Sequence, residues 1–197
     1  MLSSEVRSVA EKQFPCVQNL EIYRVQASYR GRSPVVVQIW WIVQALFFSH
    51  SPQVCYGFRR WLLRLFGAKV GKGALIRQSV KITYPWKVKI GDFAQIGDDV
   101  VIYSFAEISI GNSTVISQKS YLCSGTHDFR SPSFEIQSFP ITIENQAWLA
   151  ADVFVAPGVT VGEGTVVGAR SSVFNDLPPM MICTGSPARP VRPRVSA

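Results

Sequence analysis

The sequence predicts a mainly β protein: a parallel β-helix of hexapeptide repeats, with a helical segment before it and one excursion loop within it. Three observations predict it. A branched aliphatic residue recurs every sixth position from Val70 to Val173. Glycine and small residues keep fixed offsets from that aliphatic. The region before the array, residues 34–66, holds two apolar runs of helical length separated by a proline-containing turn. The chain has 197 residues, 47% of them hydrophobic and 17% charged, which fits one core-forming domain with an appendage and excludes a disordered chain.

The array begins with Val70, Ile76, Ile82 and Val88. Its phase slips by two to Ile90, Ile96, Ile102 and Ile108, and slips again to Ile110, Ile116 and Leu122. After an interruption it resumes as Ile143, Leu149, Val155, Val161, Val167 and Val173. A period of six is neither helical nor a simple alternation. It makes each hexad one short strand plus one turn, with three hexads to a coil. The fifth position of each hexad is mostly small or β-branched, from Ala74 and Val80 through Thr114, Ser120 and Thr126 to Thr165 and Ser171. Gly71, Gly91, Gly97, Gly111, Gly162 and Gly168 directly follow the aliphatic, and read as positions needing backbone angles that other residues resist. The two slips predict coils of 20 residues. The interruption at 128–140 predicts a loop that leaves the helix, the kind of element on which a rigid scaffold often carries function.

The flanks have their own signatures. Residues 1–33 are polar and mixed and predict an arm. Val35–Phe48 contains no charge, and its 14 residues are too few to span a bilayer as a helix. Ser51, Pro52 and Gln53 separate it from a second run, Tyr56–Phe66, as a helix–turn–helix break. Both helices are too apolar to stand alone in water. They pack on the chain or a neighbouring subunit, or rest on a membrane surface with the help of Arg59, Arg60 and Arg64. The β-helix domain is expected over 67–179, followed by a basic, proline-rich tail over 180–197.

The first residues lack a signal-peptide core, and Cys16, Cys55, Cys123 and Cys183 are too scattered for a zinc or redox pair. The expectation is a cytoplasmic protein with reduced thiols. A net charge of +7 leaves nucleic acid, an anionic membrane and a small anionic ligand open as partners. Nucleic acid has the weakest case, because the basic residues do not cluster with a recognised reading element.

Of two histidines, His50 lies in the turn between the apolar runs. His127 directly precedes the excursion loop, with Asp128 beside it and Glu135 within the loop. A neutral imidazole near pH 7 accepts a proton from an attacking nucleophile, and a carboxylate on its other nitrogen fixes the tautomer. Spacing alone leaves a structural histidine and a general base both open. A β-helix zinc enzyme of the gamma carbonic anhydrase kind needs three histidine ligands, which this chain lacks, so no metal is expected.

The segments KITYPWKVKIGD, ISQKSYLCSGTHDF and AWLAADVFVAPGVTVGEGTVVGARSSVF, with VQIWWIVQALFFSHSPQV before them, resemble the colanic acid biosynthesis acetyltransferases among the hexapeptide-repeat acyltransferases. The resemblance covers about residues 34–192, and extends more distantly to maltose and galactoside O-acetyltransferases. It implies a left-handed β-helix, although periodicity does not show the hand and general chain chirality argues for the other. It implies transfer of an acetyl group from acetyl-CoA to a sugar hydroxyl of a cell-surface polysaccharide precursor, and a homotrimer with active sites between adjacent β-helices. His127 matches the family's general base and Glu135 the loop carboxylate that supports it. Trp148 matches a tryptophan beside the active site. Ala150 and Ala151 stand where glycine and serine are usual, and their backbone amides would face the oxyanion. Ala169 matches a pantetheine contact. Arg189 and Arg192 match arginines near the nucleotide end of CoA, where guanidinium suits phosphate.

Where the galactoside enzymes carry an acceptor-binding asparagine, an ungapped register places Gly97. Asp98 and Asp99 beside it are either sugar ligands or ordinary turn aspartates. Tyr84, Pro85 and Trp86 form a bulky corner expected to pack. Cys123 is conceivable as a nucleophile but matches no family role. N-acetylation of an amino sugar and a non-catalytic β-helix scaffold remain the alternatives. The apolar N-terminal region points to the inner membrane face.

Overall fold

The computed structural model describes residues 17–24 and 27–195. Much of the expected N-terminal arm, residues 1–16 with 25 and 26, lies outside the described residues. The chain divides into two compact units. One joins the N-terminal segment to His127–Gln137; the other contains Gln26–Thr126 and Ser138–Ala197.

In the larger unit, helix α1 (Pro34–Val43) begins at Ser33, whose Oγ accepts the Val36 N–H at 3.4 Å, and Pro34 supplies the helical φ of the first turn. A π-type turn over Gln44–Phe48 extends it, and α2 (Tyr56–Leu65) follows the Ser51–Gln53 break. The first coil is built of β1 (Lys69–Val70), β2 (Leu75–Ile76) and β3 (Lys81–Ile82). Stacked on it are β4 (Val88–Ile90), β5 (Gln95–Ile96) and β6 (Val101–Tyr103), then β7 (Ile108–Ile110), β8 (Val115–Ile116) and β9 (Tyr121–Cys123). Strands β10 (Gly125–His127) and β11 (Ile136–Ser138) form a separate two-stranded sheet. The coils resume with β12 (Ile141–Ile143), β13 (Trp148–Leu149) and β14 (Phe154–Val155), then β15 (Thr160–Val161), β16 (Val166–Val167) and β17 (Ser172–Val173). The result is a parallel β-solenoid with three sheets, ordered β1-β4-β7-β12-β15, β2-β5-β8-β13-β16-β18-β19 and β3-β6-β9-β14-β17.

The strand register matches the hexad arithmetic. Val70 pairs with Ile90 and Ile90 with Ile110, a coil of 20 residues, as the slips predict. Ile110 pairs with Ile143, a step of 33 that contains the excursion, and Ile143 with Val161, a step of 18. The repeat aliphatics from Val70 to Val173 are all buried, and Ile76, Ile96, Ile116, Leu149 and Val167 stack in one interior column of β2, β5, β8, β13 and β16. Fifth-position residues are buried beside them, except that Ala106 is half-buried and Thr126 is exposed. Thr126 already belongs to the strand leaving the coil. The chain departs at Ser124, whose carbonyl accepts the Phe139 N–H as the chain returns.

The glycines behave differently from expectation. Gly71, Gly91, Gly97 and Gly111 do not adopt positive φ. A Cβ on Gly91 or Gly111 would instead meet backbone atoms of the next coil at 2.6 Å. Close approach between coils is what excludes a side chain here. The left-handed positions fall two residues after Gly91, Gly111 and Glu144, on Phe93, Ser113 and Gln146, with φ between 52° and 56°. A side-chain ladder supports this corner: Lys72 N–H donates to Asp92 Oδ1, Asp92 N–H to Asn112 Oδ1 and Asn112 N–H to Asn145 Oδ1, each at 2.8 Å.

The helices close the open end of the first coil. An uncovered parallel coil presents unpaired backbone groups at its edge. Arg59 Nε donates to Ile76 O at 2.7 Å, Arg60 to Ala74 O, Arg64 to Val70 O, and Trp40 Nε1 to Ile82 O at 2.8 Å. Gln44 Oε1 accepts the Ile82 N–H. Trp40, Phe48 and Leu63 are fully buried under this cap. The bulky corner packs as expected: Tyr84 stacks on Trp86, whose Nε1 donates to Arg30 O. At the other end, β18 (Met181–Gly185) lies parallel to β16 and turns into the antiparallel β19 (Ala188–Pro193). Residues 181–193 thus extend the second sheet, with Cys183 buried over Val167, where the sequence suggested a separate tail.

Candidate active site

His127 ends β10 and enters the excursion loop. Its Nδ1 lies 2.8 Å from Phe134 O. A carbonyl only accepts, so Nδ1 carries the proton and Nε2 of the neutral ring is left with a lone pair. Phe134 has φ +49°, and its ring stacks on the imidazole with centroids 4.3 Å apart and planes 9° apart. Tyr23 lies on the histidine as well, at 6.0 Å. Asp128 N–H donates to Glu135 O at 2.8 Å, and Asn19 N–H to Pro132 O. The Glu135 carboxylate does not take the supporting place expected for it. It accepts from Ser133 Oγ at 2.9 Å, while the backbone carbonyl next to it orients His127. Phe134 and Tyr23 are the partners that sequence reasoning missed. A lone phenylalanine in a polar loop gives no sign that it turns left-handed and aims its carbonyl at a ring.

In the larger unit, the second sheet gathers the other expected residues. Trp148 on β13 is 45% exposed and its Nε1 donates to Ser117 Oγ at 2.9 Å. Trp148 pairs with Val166, Val166 with Ile182, and Ile182 with Arg192, so Trp148 and Arg192 lie in one cross-sheet row. At about 4.8 Å per strand, that row is roughly 14 Å long. Ala169 is exposed in the turn after β16, and Arg189 is exposed on β19 opposite Thr184. Neither Arg189 nor Arg192 forms an ion pair among the described residues.

The two alanines differ. Ala150 N–H is the rung that follows β13 and donates to Val167 O at 2.9 Å, so it is not available to an oxyanion. Ala151 N–H has no acceptor among the described residues. Asp98 is bound by Arg77 Nε at 2.8 Å and Ser79 Oγ at 3.1 Å. Asp99, at φ +57°, holds a left-handed corner. These contacts favour turn roles for both. Beside them a groove of about 260 Å³ crosses β2, β5 and β8, lined by Tyr56, Arg77, Gln95, Ser117 and Gln118 among others. Ser117 joins this groove to Trp148. The Tyr56 hydroxyl is held below its ordinary pKa chiefly by its hydrogen bond with Arg77. Burial pushes the Cys123 thiol up, which disfavours the thiolate a nucleophile needs.

No protein-family model matches the chain. A curated relative does. The chain is 58% identical over 179 residues to the protein named colanic acid biosynthesis acetyltransferase WcaF of Escherichia coli (strain K12), covering 91% of this chain and 98% of that one. The chain belongs to the colanic acid biosynthesis acetyltransferase family. It is an acyltransferase with the hexapeptide-repeat β-helix fold. It is also 31% identical over 148 residues to the galactoside O-acetyltransferase of Escherichia coli (strain K12), covering 74% of this chain and 73% of that one. Among solved structures, a galactoside acetyltransferase in complex with coenzyme A superposes with a TM-score of 0.77 at 25% identity, over 99% of this chain and 92% of that one. A hexapeptide-repeat acetyltransferase of Vibrio cholerae O1 biovar eltor complexed with acetyl coenzyme A gives 0.75 at 25% identity, over 82% and 88%.

Proposed function

We propose that the protein transfers an acetyl group from acetyl-CoA to a sugar hydroxyl of a cell-surface polysaccharide precursor, at the cytoplasmic face of the inner membrane. The observation that carries this is the hydrogen bond between His127 Nδ1 and Phe134 O. With Nδ1–H donated to Phe134 O, the Nε2 lone pair is free to accept a proton. His127 takes the proton from the acceptor hydroxyl as its oxygen attacks the thioester carbonyl. The Ala151 N–H stabilises the oxyanion that forms. The C–S bond then breaks, and His127 returns the proton to the departing thiolate. The transfer is direct, with no acyl-enzyme on Cys123.

The second sheet suits the donor. Trp148 and Arg192 share one row of the sheet, with Ala169 exposed in the turn after β16 and Arg189 exposed on β19; an indole and two guanidinium groups suit a pantetheine arm leading to phosphates. The groove between Tyr56 and Gln118 supplies the neutral hydrogen-bonding side chains of Gln95, Ser117 and Gln118 beside the Arg77 guanidinium, a set suited to a sugar. Asp98 supports it through Arg77. The relatives' names support a sugar acceptor, since one is a galactoside O-acetyltransferase. We read the assembly as a homotrimer in which His127 of one subunit works beside the Trp148 row of a neighbour. Mixing His127→Ala protein with Arg189→Ala, Arg192→Ala protein tests both ideas. Each variant alone loses acetyl transfer, and hybrid trimers regain part of it. Hybrids with no regained activity would contradict the shared site. An unimpaired His127→Ala variant would contradict the base assignment.

A further inference from the structure

The outer faces of α1, the turn that extends it and α2 carry large apolar side chains that nothing among the described residues covers. Ile39, Trp41, Ile42, Phe47, Trp61 and Leu65 are between 43% and 64% exposed, although neighbouring positions on the same helices are buried under the cap. Single exposed apolar residues are ordinary, but six on two adjoining helices, two of them tryptophans, make a contiguous surface. Neither helix is long enough to cross a membrane.

Charge selects the occupant. Between Ala27 and Gly91 there are eleven Lys and Arg and no Asp or Glu, which leaves nine basic against 13 acidic side chains in the rest of the chain. Arg59 is consumed inside the cap, and Arg77 and Lys89 are paired with Asp98 and Glu107. Arg32, Arg64, Lys69, Lys72 and Lys81 remain exposed, on the helical cap and the first coil, with no carboxylate partner among the described residues. A second copy presenting the same face would set like charge against like. An apolar, tryptophan-bearing surface rimmed by cations matches a bilayer with anionic headgroups, where indoles settle at the interface and Lys and Arg meet lipid phosphate.

We infer that the outer face of α1 and α2 docks this protein flat on an anionic lipid bilayer, with the solenoid axis leading away from the surface. This inference rests on the cap and not on the acetyl-transfer reading, so it is read without activity. The full chain is sedimented with vesicles of phosphatidylcholine alone and with vesicles containing about one-third phosphatidylglycerol. The protein pellets with the anionic vesicles, less at high salt, and its tryptophan emission shifts to the blue. Trp41→Ser, Trp61→Ser protein and Lys69→Glu, Lys72→Glu protein each partition at least about tenfold more weakly, with unchanged thermal midpoints because these side chains are exposed. Failure of the wild-type protein to pellet, with no emission shift, overturns the proposal. So does equal pelleting of the variants, or a wild-type oligomer that the tryptophan variant dissolves without any vesicle binding, which would make the face a contact between copies.

Discussion

Arg59 at one end of the solenoid and Arg189 and Arg192 at the other use the same guanidinium in opposite ways. At the N-terminal end, Arg59 is fully buried, and its guanidinium is spent on Ile76 O, Ser51 Oγ, Pro52 O and Gln53 O, with the Tyr56 ring 4.7 Å away. At the C-terminal end, Arg189 and Arg192 stand exposed on β19 and pair with no carboxylate among the described residues. The first end must satisfy an open edge of backbone carbonyls. The second end closes its own edge with the β18–β19 hairpin, and Arg189 and Arg192 are left exposed on it. Arg194, at the same C-terminal end, is spent on Gln146 O and Gly164 O, so the carbonyls within reach, more than residue type, decide whether a guanidinium is taken up by the backbone.

The largest expected effect is at the structural end. Arg59→Ala strands several buried carbonyls and removes the volume beneath the cap. It should cost about 4 kcal/mol and lower the thermal midpoint by roughly 10 °C, measured by calorimetric or circular-dichroism melting. An unchanged midpoint would break the comparison. Next is the packed middle: Gly111→Ala forces a Cβ against Asn145 N and should cost about 1–3 kcal/mol, read by chemical denaturation. Arg64→Ala is milder, because its guanidinium reaches Val70 O from an exposed position. About 1 kcal/mol is expected. Cys123→Ser should leave the turnover rate within about threefold, since the raised thiol pKa already argues against a nucleophilic role. A turnover rate abolished by that change would require a covalent route.

The solenoid was legible in the sequence because every hexad repeats one physical demand: a branched aliphatic inward, a small residue at the corner. That fixed the register of Val70 on Ile90 and the excursion between Leu122 and Ile143. What was hidden depends on backbone groups, which all residues share. Nothing in the letters says that Phe134 lends a carbonyl to His127, that Ala150 N–H belongs to the ladder while Ala151 N–H does not, or that Gly91 is needed for its missing side chain and not for its φ. The partners of the α2 arginines were hidden for the same reason. Their partners are carbonyls of the first coil, which carry no sequence signature.

The most direct test is a calorimetric titration of the full chain with acetyl-CoA, beside an Arg189→Ala, Arg192→Ala variant whose thermal midpoint is measured in parallel. Saturable binding to the wild-type protein, at least about tenfold weaker in the variant at an unchanged midpoint, is the predicted result. Binding that is absent from folded protein, or indifferent to the loss of both guanidinium groups, would contradict the assignment of the β19 end to the donor.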